Sequence, residues 1–185
     1  MGYLKSNHLF ESIQPEALYR FTERPIVIGE QLTDYQNIGA LIRLSDNLGA
    51  KDLFFLGEEP VKQMTKIRRI AASSHGNLNW AFSRETEIRK LVTPSATIIA
   101  LETAHEAKSL FELELPENPV FVVGNERFGM SESLLAQADQ VVYIPVPGLT
   151  RSLNVTHAAA VLFFEWLRQM QYKFSTKIND EQKQL

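Results

Sequence analysis

Five short runs rich in β-branched and aromatic residues punctuate the chain, and most are apolar at every position instead of every second one. They are PIVIGE (Pro25–Glu30), KDLFFLG (Lys51–Gly57), ATIIALE (Ala96–Glu102), NPVFVVG (Asn118–Gly124) and QVVYIP (Gln140–Pro145). A continuously apolar strand has to be buried on both faces, which is the situation in a parallel sheet covered by helices on each side. Helical patterns fall between the runs, at Ile38–Leu48, Val61–Ala72, Arg84–Val92 and Glu132–Gln137. The pattern is that of an α/β fold, a mostly parallel sheet flanked by helices.

A last long helix is expected from Ser152 to Tyr172, capped by Thr150 or Ser152, with Ala158–Val161, Phe164 and Leu167 on its buried side. Ahead of the first run, Leu9, Phe10, Ile13, Leu18, Tyr19 and Phe21 recur at roughly helical spacing and read as a preliminary helix or clamp. The closing KFSTKINDEQKQL is polar. No repeat, low-complexity tract or linker divides the chain. The expected organisation is an N-terminal extension over 1–24, one domain over 25–172 and a polar tail over 173–185.

Composition narrows the chemistry. A chain of 185 residues carries one core without needing a staple, and it has no cysteine, which excludes a disulfide scaffold, a thiolate metal site and a cysteine nucleophile. No metal is expected. No apolar run approaches the ~20 residues of a membrane span, and MGYLKSNHLF lacks a signal-peptide core, so a cytoplasmic protein without a membrane partner is expected. Lys and Arg number 19 against 22 Asp and Glu, a formal charge of -3. That balance lacks the basic footprint usual for nucleic-acid binding.

Three polar loops follow strand ends, where parallel sheets bind ligands. In DYQNIGALIRLSDNLGA (Asp34–Ala50), Asn37 stands where a helix starts, and Arg43 lies among Leu41, Ile42 and Leu44. Asn37 can be an N-cap and Arg43 a snorkelling surface arginine, or both can belong to a site. In VFVVGNERFGMSESLL (Val120–Leu135), a strand ends at Gly124 and Ser131 can cap the next helix. This loop matches neither a P-loop nor a GxGxxG fingerprint. In YIPVPGLTRSLNVTHAAAVLFFEW (Tyr143–Trp166), Pro145, Pro147 and Gly148 make a stiff stretch whose backbone groups cannot all pair internally, so they can read an adenine edge. His157 can make a local hydrogen bond or serve a site.

Together the three loops resemble the SpoU (TrmH-like) family of the SPOUT superfamily, S-adenosylmethionine-dependent RNA 2′-O-methyltransferases. The residues that carry the resemblance are Asn37, Gly39, Arg43, Asp46 and Gly49 in the first loop; Gly124, Asn125, Glu126 and Gly129 in the second; and Ile144, Pro145, Ser152, Leu153 and Asn154 with the Ala-rich helix in the third. The resemblance implies a SPOUT fold with a deep C-terminal trefoil knot and a homodimer whose active site uses both chains. It assigns catalysis to Arg43, supported by Asn37, Glu126, Ser152 and Asn154. It places the S-adenosyl-L-methionine cofactor against Leu101, Glu102, Thr103, Gly124, Ile144, Ser152 and Leu153. A guanidinium is a donor-only group, so electrostatic stabilisation of an alkoxide, or base action assisted by substrate phosphate, suits Arg43 better than literal base catalysis. Val146, Thr156–His157 and the Asn125–Glu126–Arg127–Phe128 loop filling depart from the family pattern and bear on substrate choice.

Family members often carry an extra N-terminal RNA-binding domain, for which the residues before Pro25 leave no room. The expected RNA is therefore tRNA, at a D-loop guanosine or the wobble nucleotide, with ribosomal RNA or a silent RNA- and donor-binding protein as alternatives. A plain nucleotide-binding α/β protein would neither bind the donor nor dimerise. Lys62, Lys66, Arg68 and Arg69, with Arg127 and Arg151, are the candidate RNA contacts, Arg20 and Arg24 lying elsewhere; the first four also suit a solvated helix face.

Overall fold

The computed structural model describes residues 15–175 and 177. Seven parallel strands form one sheet: β1 (Ile26–Glu30), β2 (Asp52–Leu56), β3 (Asn79–Ser83), β4 (Thr97–Leu101), β5 (Lys108–Ser109), β6 (Pro119–Val123) and β7 (Gln140–Tyr143), in the spatial order β3-β2-β1-β6-β4-β7-β5. The helices are α1 (Pro15–Tyr19), α2 (Tyr35–Leu48), α3 (Met64–Ala71), α4 (Ser74–Asn77), α5 (Glu132–Leu135) and α6 (Val155–Lys173). The chain walks outward from β1 through β2 to β3, then crosses to β4, and β6 later fills the gap between β1 and β4.

The apolar runs are buried as their composition requires, with every residue of β1 and β6 buried. Successive side chains alternate between two cores. Val27, Leu53, Ile99 and Phe121 face α2 and α6, meeting Ile38, Leu41, Ile42, Leu162, Phe163 and Trp166. Ile28, Ile98, Val120 and Val122 face the other way, against Ile88, Met130 and Leu134. Gly39 brings α2 onto α3, since a Cβ there would stand 2.7 Å from Cβ of Ile70.

Two edge strands were not expected from the sequence. β3 buries only one side, with Trp80 and Phe82 half-buried against Phe55 while Asn79 and Ala81 are exposed, so it lacks the continuous apolar run of the inner strands. β5 is two residues long. The helix expected over Arg84–Val92 is not formed; only Ile88–Lys90 makes a 3₁₀ turn. Side chains capture the amides a helix would need: Glu85 Oε1 accepts from the N–H groups of Thr86 (2.9 Å) and Glu87 (3.0 Å), and Gln137 Oε1 accepts from that of Ile88 (2.8 Å). The pattern at Val61–Ala72 divides into a 3₁₀ turn at Val61–Gln63 and α3, and the one at Glu132–Gln137 shortens to α5.

The last helix begins later than expected and has a different cap. Asn154, not Thr150 or Ser152, caps α6, its Oδ1 accepting from the N–H (2.9 Å) and hydroxyl (2.7 Å) of Thr156. The buried stripe is Ala159, Leu162, Phe163, Trp166 and Met170, at helical spacing. Phe164 falls off that stripe and is 48% exposed, while Ala158, Ala160, Val161 and Leu167 are half-buried at its margins.

Of the residues read as a preliminary helix or clamp, Leu9, Phe10 and Ile13 lie outside the described residues, as does most of the 173–185 tail, and α1 and the turn after it are described. Leu18 is buried and Phe21 stacks on Phe174. The Tyr19 ring stacks on Trp166 with centroids 6.4 Å apart, and its hydroxyl donates to the Leu48 carbonyl. Arg24 lies 4.6 Å over the same ring and donates to the Gly49 carbonyl at 3.1 Å. Burial pushes the Tyr19 phenol up to about 12, against an opposing pull from the Arg24 charge. The unfolded chain therefore loses this proton first, at its ordinary value of about 10.0. Stability contributed by Tyr19 is complete below that pH and is lost as pH rises toward about 12. Denaturant titrations across this range should show the decline in the parent and a shallower one in Tyr19→Phe, which at neutral pH costs about 1 kcal/mol for the lost hydrogen bond.

Candidate functional site

The site is built where β1, β4, β6 and β7 end. β6 runs into Gly124, where a Cβ would stand 2.6 Å from the Met130 nitrogen and 2.7 Å from the Gly129 carbonyl carbon. Only glycine lets the following loop fold back across the strand end. Asn125 and Gly129 then exchange backbone hydrogen bonds of 3.0 Å each, and Asn125 Oδ1 accepts from the N–H groups of Arg127 and Phe128.

Two carboxylates fasten this loop. Glu102, after β4, accepts from the N–H groups of Met130 (2.8 Å) and Thr103 (2.8 Å). Glu30, the buried last residue of β1, accepts from Ser131 N–H at 2.8 Å and from its hydroxyl at 2.5 Å. Ser131 also caps α5, as the sequence suggests. Glu30 is not among the residues singled out from the sequence, although a lone acid ending an otherwise apolar run is a signal for such a role. On the third side, Asn125 Nδ2 donates to the carbonyl of Gln31, a residue at φ 47°.

So fastened, the loop delivers Glu126 to the start of α2. Its carboxylate accepts from Asn37 Nδ2 at 2.9 Å and, at 3.4 Å each, from the N–H groups of Thr33 and Asp34. The N-cap of α2 is Asp34, which accepts from Gln36 N–H; Asn37, offered as a possible cap, lies inside the helix and is buried. Asn37 Oδ1 in turn accepts from Asn154 Nδ2 at 2.9 Å. Amide orientation is settled by the chain itself: Asn154 Oδ1 serves Thr156, so its nitrogen must face Asn37, whose own nitrogen must face the carboxylate.

Beside this chain is a cavity of ≈ 500 Å³ outside the ends of β4, β6 and β7. Leu101, Glu102, Thr103, Gly124, Ile144, Ser152 and Leu153 all line it, as do Glu126, Arg151 and Asn154. Val123, Val146, Val155 and Ala158 add apolar wall. Among the described residues, the 145–153 segment makes no backbone–backbone hydrogen bond, so its polar groups are available to a ligand. A wall that combines apolar and polar groups suits an amphipathic small molecule.

Arg43 is not brought to this cavity. It is exposed on α2, six residues and roughly 9 Å of helix beyond Asn37, on a different face. Lys62, Lys66, Arg68 and Arg69 are exposed on and just before α3, and Lys66 lies 5.1 Å over the Tyr35 ring. Among the described residues none of these four has a carboxylate partner, whereas Arg84, Arg89, Lys90, Arg168 and Lys173 all do. Arg127 is exposed beside Phe128, Arg151 is exposed at the cavity, and His157 is exposed on the first turn of α6. Among the described residues no three His, Asp or Glu side chains are grouped to hold a metal ion, and no helix is long and apolar enough to cross a membrane.

Removing Glu126 should leave the buried Asn37 amide without its acceptor. Glu126→Ala is expected to lower the unfolding free energy by about 1–3 kcal/mol. A double-mutant cycle with Asn37→Ala should give a coupling above ~0.5 kcal/mol, and strict additivity would show that the two side chains are not bonded.

A model of the SpoU rRNA Methylase family matches residues 24–164. A relative from Aquifex aeolicus, named tRNA (guanosine(18)-2′-O)-methyltransferase, is 28% identical over 163 residues, covering 85% of this chain and 75% of its own. A protein of the same name from Thermus thermophilus is 29% identical over 159 residues, covering 83% of this chain and 79% of its own. The solved structure of an AdoMet-bound rRNA methyltransferase from Sinorhizobium meliloti superposes with a TM-score of 0.72 at 24% identity, over 80% of this chain and 57% of the other, and shares the fold.

Proposed function

This chain belongs to the SpoU rRNA Methylase family, and from that premise we propose that it is an S-adenosylmethionine-dependent enzyme that methylates a ribose 2′-hydroxyl of tRNA at a guanosine. The observation that carries the reading is the meeting of Glu126, Asn37 and Asn154 beside the amphipathic cavity. The names of the Aquifex and Thermus relatives support tRNA and guanosine over ribosomal RNA. The cytoplasm is where such a substrate is met.

When bound, S-adenosyl-L-methionine supplies a sulfonium methyl group already activated for transfer. Leu101, Ile144 and Leu153 would hold its apolar parts, and the free backbone of the 145–153 segment would meet its heterocycle edge. In this reading that segment belongs to the deep trefoil knot of the SPOUT fold.

A ribose hydroxyl is a poor nucleophile, so alignment and stabilisation of the developing oxyanion supply most of the acceleration. Glu126 already receives three donors, and its part is to hold Asn37 and Asn154 in place. Ser152 stands exposed at the cavity with a hydroxyl for the target nucleotide. Arg43 stabilises the alkoxide, and since it is remote from its own cavity it does so across a homodimer. The α6 face bearing Phe164, with Val161 at its margin, is the apolar surface for that contact.

Isothermal calorimetry should detect one donor molecule bound per chain; no heat at millimolar donor would remove the proposal. Arg43→Ala is expected to reduce methyl transfer to tRNA by roughly a hundredfold or more while leaving donor affinity within about twofold. Retained turnover would show that the role is misassigned.

A further inference from the structure

A second concave surface lies at the outer edge of the sheet, away from the cavity described above. A groove of ≈ 450 Å³ runs along β3, lined by Glu59, Met64, Arg68, His75, Trp80 and Phe82. Its floor is aromatic. Trp80 and Phe82 pack at 74° with centroids 6.3 Å apart, and Phe55 supports both from below, at 6.3 and 5.1 Å. The indole is fixed in orientation, because Trp80 Nε1 donates to the His75 carbonyl at 3.0 Å. Both rings are half-buried, and among the described residues β3 has no strand on its outer side.

One cation, Arg68, stands in the groove, where Glu59 also lines the wall, and among the described residues Arg68 has no carboxylate partner. Lys62, Lys66 and Arg69 are exposed on the same short segment outside the groove, Lys66 over the Tyr35 ring. Partially exposed rings beside an arginine with no carboxylate partner among the described residues fit one class of occupant better than any other: an unstacked nucleotide, its base on the rings and its phosphate on Arg68, the strand continuing toward the exposed cations of the same segment. A peptide strand pairing with the β3 edge would use neither Arg68 nor the Lys62–Arg69 charges.

We infer that the β3 groove is a nucleotide subsite that captures a splayed base of the substrate RNA outside the methylation centre. The inference rests on the reading that this enzyme acts on RNA. β3 lies three strand positions from β6, a separation of roughly 14 Å at ~4.8 Å per strand. One RNA strand spans that in roughly four nucleotides at a stacked rise of ~3.4 Å. The groove would thus fix the approach of the RNA while the target ribose sits by Asn37 and Asn154.

Trp80 is one of two tryptophans, and the other, Trp166, is fully buried. Tryptophan fluorescence therefore reads the groove directly. Titrating the full chain with single-stranded oligoadenylate, and separately with unmodified tRNA transcript, should quench the emission. Trp80→Phe should abolish the quench, and Arg68→Gln, which alters no core contact, should weaken RNA affinity in filter binding by roughly tenfold. Donor affinity by calorimetry should be unchanged in both variants. No quench, a quench that survives in Trp80→Phe, or full affinity in Arg68→Gln overturns the subsite. Methyl transfer by the parent is assayed in parallel: transfer without quenching overturns the subsite alone, while quenching without transfer supports the subsite and overturns the enzymatic reading.

Discussion

Three loops leaving different parts of the sheet meet on one buried amide, that of Asn37. Its nitrogen donates to Glu126 and its oxygen accepts from Asn154, which also caps the long C-terminal helix. Each partner has only one orientation that satisfies the next, so the chain specifies a single arrangement of the loops after β1, β6 and β7. Losing any member leaves a polar group without its partner, at a site where the desolvation cost is already met by the folded chain.

The arrangement holds because the loop between β6 and α5 is itself held from both sides. Glu30 reaches it from β1 and Glu102 from the end of β4, and Gly124 permits the backbone approach that neither carboxylate could otherwise exploit. The parallel sheet explains why these groups converge: every strand points its carboxyl end to the same rim, so residues distant in sequence arrive within hydrogen-bond reach. The same rim forms the wall of the cavity, so positional order among polar groups and an apolar seat for a ligand are built by the same strand ends.

Much of this was legible in the sequence. The five apolar runs became β1, β2, β4, β6 and β7, because burial on both faces leaves an unambiguous composition. The cavity-lining residues were legible through their motifs, and Asn37, Glu126 and Asn154 do meet. What was not legible depends on partners distant in sequence. β3 and β5 are edge strands whose burial is one-sided or brief, and the segment after β3 is helical by pattern but loses its amides to Glu85 and Gln137. Phe164 has the apolarity of a core residue, yet the face set by Ala159, Leu162, Phe163 and Trp166 excludes it. Glu30 reads as the end of a strand until Ser131 is placed against it.

Net charge offered the least guidance, since it sums over a surface on which many cations are neutralised locally while four on one segment, among the described residues, are not. Methyl transfer to ribose at the strand-end site is read by incubating the protein with tRNA transcript and methyl-labelled S-adenosylmethionine, then identifying the labelled nucleoside by mass spectrometry after complete digestion. The parent should form a 2′-O-methylguanosine, and Asn154→Ala should form none. Label on a base, or no transfer despite bound donor and RNA, would contradict ribose methylation at this site.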